Sequence, residues 1–145
     1  MRNRFAAIAI LVMGCGHATS APGGHDALPA GGTAPRGCPN GHADKIKFSQ
    51  AESCVNDGSV EFCIPGSEPE LRATVAAISP SIMCGPGGGR AGCNRTPGLL
   101  LCSYPTAFPE QCLHAHGEMT AKAWSDMCTI AGLPQVVEIV PTFYE

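Results

Sequence analysis

Ser59-Val60-Glu61-Phe62-Cys63-Ile64-Pro65-Gly66 runs straight into Ser67-Glu68-Pro69-Glu70-Leu71. Val60, Phe62 and Ile64 alternate with polar or small residues, which predicts a strand with one buried face. Pro65-Gly66 ends it. Ser67 followed by Glu70, with Pro69 in the first turn, predicts a helix start of the capping-box kind. Leu71, Val75 and Ile78 recur at i, i+4 and i+7, so the helix runs to about Ser79, where Pro80 stops it.

Working outward from this unit, Ser81-Ile82-Met83-Cys84 is a short strand and Gly85-Pro86-Gly87-Gly88-Gly89-Arg90 a hairpin loop. Gly98 to Tyr104 reads as a buried strand. Thr120 caps a helix whose apolar face is Trp124, Met127, Cys128 and Ala131, and Gly132 and Pro134 terminate it. Val136 to Val140 is a last strand. Pro105 to Gly117 is ambiguous, with one short helix from Pro109 as its reading. Cys38 to Asn56 is loop-rich. The expectation is a small disulfide-rich α+β domain, elements in the order β-α-β-β-α-β, forming a sheet of ferredoxin-like order with two helices.

Composition supports an exported domain. Charged residues make up 14% of the 145, about half the usual share, while Gly and Pro together number 31. These figures exclude a large core, a nucleic-acid binder and a coiled coil. Met1-Arg2-Asn3-Arg4 carries two positive charges, and Phe5 to Met13 is an unbroken apolar run of nine residues. Nine residues are too few to span a bilayer core of about 30 Å as a helix, and the charged start followed by a short apolar run is that of a signal peptide. Val12-Met13-Gly14-Cys15 resembles the lipobox of bacterial lipoproteins. The resemblance covers about fifteen residues and implies cleavage before Cys15, which then carries palmitate-type acyl chains. It also implies a cell-envelope location; Gly16 in place of Asp after the cysteine points to the outer membrane of a Gram-negative bacterium. The alternative is a secreted or periplasmic protein cut near Ala18-Thr19-Ser20.

The expected organisation is a signal peptide over 1–14, a lipidated Cys15 with a flexible tether over 15–37, and a Cys-rich folded domain over 38–145. Nine of the 22 residues from Gly16 to Gly37 are Gly or Pro, and they cannot bury enough apolar surface to offset their ordering entropy. Losing Arg2 and Arg4 with the signal leaves seven Lys and Arg against twelve Asp and Glu, a formal charge of −5. Such a charge disfavours phosphate backbones and anionic lipid. Membrane attachment therefore falls to the acyl chains, each buried methylene contributing about 0.8 kcal/mol.

Nine cysteines is an odd number. With Cys15 assigned to lipid, eight remain: Cys38, Cys54, Cys63, Cys84, Cys93, Cys102, Cys112 and Cys128. No C-x₂₋₄-C pair of the zinc-site kind occurs among them, and an oxidising compartment makes four disulfides the default. Eight cysteines permit about 105 connectivities. Proximity in the expected topology favours Cys38–Cys54, Cys63–Cys102, Cys84–Cys93 and Cys112–Cys128. The second of these takes the first and third strands as parallel neighbours about 4.8 Å apart, within disulfide reach.

Other candidate chemistry is sparse. His114 and His116 follow Cys112 and are the best metal-like cluster. At i and i+2 they share a face on a strand but not on a helix. The loop Gly85 to Arg90, with Arg90 and Arg95, has the glycines of a phosphate loop but no Lys-Ser/Thr after them. No G-x-S-x-G elbow is present. Trp124 reads as core. No catalytic residue, cofactor or metal is assigned. The function most consistent with these features is a lipid-anchored, non-enzymatic binding module whose partner is an envelope protein or glycan. The alternatives are a small hydrolase or metal-dependent enzyme using His114 and His116, and a purely structural envelope component.

Overall fold

The computed structural model describes residues 37–54 and 58–142, all within the compact unit Thr33–Glu145. The segments expected to be the signal peptide and the tether, with Cys15, lie up to residue 36 outside the described residues. Four strands, β1 (Ser59–Pro65), β2 (Met83–Gly85), β3 (Leu99–Pro105) and β4 (Ile139–Pro141), alternate with two helices, α1 (Pro69–Ile78) and α2 (Ala121–Ala131). The element order is β-α-β-β-α-β, and the sheet order is β2-β3-β1-β4 with every neighbouring pair antiparallel. This is the strand arrangement of a ferredoxin-like sheet.

The alternation in β1 gives the sheet two faces. Val60, Phe62 and Ile64 are wholly buried on the inner face, opposite Tyr104, Cys102 and Leu100 of β3. Leu71 and Val75 of α1 and Ala123, Trp124, Met127 and Ile130 of α2 join them in one core cluster. Phe48, from the loop-rich leading segment, meets Trp124 edge-on with ring centroids 6.2 Å apart. Such pairs add about 0.5–1.5 kcal/mol beyond area burial.

The helix ends follow two different devices. Thr120 Oγ1 accepts from the Ala123 amide at 3.2 Å, the cap expected from the sequence. At α1 the expected Ser67 capping box does not form: Glu68 is the cap residue, without a side-chain cap bond, and Pro69 occupies the first helical position. Proline there gives up an amide that has no intrahelical acceptor in any case.

Three expectations need correction. β1 and β3 are neighbours, but antiparallel, since the chain reverses between β2 and β3 and both outer pairings follow that reversal. The stretch from Pro105 to Gly117 holds no helix. It is a run of turns containing a cis Phe108–Pro109 peptide, closed by a bridge between Cys112 and Met119. The last strand is shorter and later than Val136 to Val140. Only Ile139–Pro141 pairs with β1, because residues 133–138 turn back from α2.

Candidate functional site

All eight described cysteines pair, as their even number implied, but none with the partner that local proximity suggested. The pairs are Cys38–Cys128, Cys54–Cys112, Cys63–Cys93 and Cys84–Cys102. Cys63–Cys102 fails for a geometric reason. Cys102 stands opposite Phe62 and faces the helices; Cys63 stands opposite Leu101 and faces the other way. Residues one register apart on neighbouring strands point to opposite faces. Cys102 is instead bonded to Cys84, directly across from it on β2. Cys84–Cys93 is thereby displaced, and Cys93 crosses to Cys63. Cys38–Cys54 and Cys112–Cys128 are likewise replaced. Cys38 ties the leading segment to α2 through Cys128, and Cys54 ties it to the 106–118 turns through Cys112.

The outer sheet face is covered by the glycine-rich connection between β2 and β3. Beyond the Cys63–Cys93 bond, Glu61 holds this flap. It projects outward from the middle of β1 and is only 7% exposed. Its Oε2 accepts from the Arg90 amide at 2.6 Å and from the Ala91 amide at 3.4 Å. Gly89, at φ +53°, lies so close that a Cβ there would collide with the carboxylate. The loop that invited a phosphate reading is therefore a backbone anion cradle whose anion is internal. Sequence reasoning passed over Glu61. The available signal was an acidic residue on the exposed face of a strand in a chain with a glycine-rich loop and no P-loop lysine.

A second polar group, buried between β3 and α2, is also satisfied internally. The Tyr104 hydroxyl donates to Asp126 Oδ2 at 3.1 Å, and Lys122 Nζ donates to the same oxygen at 2.7 Å. Burial first, then the Asp126 charge and its hydrogen bond, push the Tyr104 hydroxyl well above its ordinary pKa.

His114 and His116 lie on the exposed 113–117 turn, His116 with a positive φ of 58°. Among the described residues no three His, Cys, Asp or Glu side chains gather as a metal site. Arg90 and Arg95 are both exposed on the flap, and Trp124 packs into the core. What remains is surface relief. A groove of about 290 Å³ runs between α1 and β2, lined by Pro69, Arg72, Ala73, Val75, Ala76, Ile82 and Cys84. A cleft of about 370 Å³ lies against Gly58, Thr106, Ala107, Phe108 and Ala115. Among the described residues Met83, Phe108, Leu113 and Val137 are the large apolar side chains left exposed.

No protein-family model matches the chain, and no curated protein or solved structure is significantly similar to it.

Proposed function

We propose that the protein is a lipid-anchored component of the bacterial cell envelope whose disulfide-framed body is a non-enzymatic binding module. One observation carries the reading. The eight described cysteines satisfy one another, so the ninth, Cys15, is the odd member of the set, and it sits in the lipobox-like Val12-Met13-Gly14-Cys15. Acylation gives that cysteine a role that a fifth disulfide could not.

The binding role rests on where the polar chemistry goes. Among the described residues Glu61 and Asp126 are the two buried carboxylates, and both are engaged by partners within the fold. The surface offers apolar relief at the α1–β2 groove and around Phe108, which suits recognition better than proton transfer. Among the described residues no helix is long and apolar enough to cross a membrane.

The test is Cys15→Ser, with metabolic labelling by a radioactive or clickable fatty acid. The wild type is expected to take up label and sediment with membranes. The variant is expected to lose both properties or to accumulate uncleaved. Membrane retention of an unlabelled wild-type protein would overturn the reading.

A further inference from the structure

The two edges of the sheet are treated differently. Beyond β4, Ile46 forms a parallel bridge to Ile139, and the Lys47 amide donates to the Ile139 carbonyl at 2.9 Å. Beyond β2 no described segment pairs. The Cα atoms of Cys84 and Cys102, opposite each other, are 4.1 Å apart. In an antiparallel ladder that close spacing marks the pair that does not exchange hydrogen bonds, since bonded pairs stand near 5.5 Å. The ladder bonds therefore belong to Met83–Ser103 and Gly85–Leu101. The Cys84 N–H and C=O point away from β3, along the open edge.

The groove between β2 and α1 runs beside that edge. Val75, Ile82 and Cys84 form its buried or half-buried floor, while Ala73 and Ala76 present only methyl groups from α1. Arg72 is the one charged residue of its lining, and no carboxylate pairs with it among the described residues. On the opposite face of the strand Met83 is 74% exposed.

We propose that β2 accepts an extended, carboxylate-bearing peptide of another protein as a fifth strand. The Cys84 N–H and C=O supply the backbone pairing. A small apolar side chain of the peptide enters the alanine-walled groove, its carboxylate meets Arg72, and the next residue, on the other face, lies against Met83. Each feature narrows the occupant. A helix laid in the groove would leave the Cys84 backbone groups unpaired. A basic segment would be repelled by Arg72. The segment Ile82-Met83-Cys84-Gly85 of a second copy carries no carboxylate of its own to set against the arginine. This proposal deepens the binding-module reading and is independent of the lipid anchor.

The test is selection of random heptapeptides on the immobilised full-length mature protein, followed by affinity measurement on synthetic hits. The peptides are expected to carry an acidic residue or to need their free C-terminal carboxylate. Arg72→Glu and Ala76→Trp should each weaken binding about tenfold or more while leaving the melting curve unchanged, because both positions are exposed on α1. N-methylating the peptide amide that faces Cys84 should cost about tenfold, the loss of one hydrogen bond. Hydrogen exchange at the Cys84 amide should slow on binding.

Hits that bind both variants as well as the wild type overturn the proposal, as does an empty selection. Self-association broken by the same variants in the absence of peptide also overturns it, in favour of a second copy as occupant. A peptide that binds elsewhere refutes the groove and leaves the binding-module reading standing. The Cys15→Ser result is read separately and bears only on the anchor.

Discussion

Replacing Cys38 and Cys128 together by alanine should be the most damaging loss among the four disulfides. The bond spans 90 residues and encloses β1, α1, β2, β3 and most of α2 between its ends. The chain-entropy relation gives about 4.5 kcal/mol for a loop of that length. The same relation gives about 3 kcal/mol for Cys84–Cys102, which spans 18 residues. Each kilocalorie moves the melting temperature of a domain this size by roughly 4–8 °C. The Cys38→Ala/Cys128→Ala protein should therefore melt some 20–35 °C below wild type, and roughly 6–12 °C below Cys84→Ala/Cys102→Ala. Cys54–Cys112 and Cys63–Cys93, spanning 58 and 30 residues, should fall between them in that order. Urea denaturation of the four double variants, at constant pH and without reductant, gives the ranking directly. If Cys84→Ala/Cys102→Ala costs as much as Cys38→Ala/Cys128→Ala, loop closure does not govern the stability of this body.

Glu61→Ala should loosen the flap alone. It removes a charged acceptor from the Arg90 amide, worth about 1.5–3 kcal/mol, so exchange at Arg90 and Cys93 should quicken while α2 stays protected. Gly89→Ala should act the same way, through collision with the Glu61 carboxylate and through its positive φ. Uniform loss of protection across the molecule would contradict a local role for Glu61. Tyr104 should contribute to the alkaline limb of stability. Its folded-state pKa is raised above the unfolded value of about 10, so its contribution is complete below that pH and is lost as pH climbs beyond it. The loss should approach about 1.4 kcal/mol per pH unit, and Tyr104→Phe should remove that slope. An identical alkaline slope in the variant would refute the assignment.

What could be read from the sequence was local. The Val60-Phe62-Ile64 alternation, the Leu71-Val75 spacing and the Thr120 cap each express their own element, and the order of elements follows. The cysteine count also sufficed for pairing within the body, because parity is a property of composition. Connectivity is a property of the returning chain. Cys38–Cys128, Cys54–Cys112 and Cys63–Cys93 are nested around the β2–β3 reversal, so each cysteine meets one far along the chain rather than its sequence neighbour. Reading β1 and β3 as parallel hid that nesting and placed Cys63 and Cys102 on one face. Glu61 escaped notice because its partners are backbone amides, which carry no residue-type signal. The groove beside β2 is equally silent in sequence. Ala73 and Ala76 look like ordinary helix surface until the open strand edge is placed beside them.

Intact-mass and peptide-level mass spectrometry of the unreduced mature protein tests the central claim most directly. The mature chain should begin at Cys15, carry the mass of a lipid anchor on that residue, and show no alkylatable thiol. Its cross-linked peptides should join Cys38 to Cys128, Cys54 to Cys112, Cys63 to Cys93 and Cys84 to Cys102. A mature chain that begins beyond Cys15, or one that keeps Cys15 as an unmodified thiol, would contradict the account.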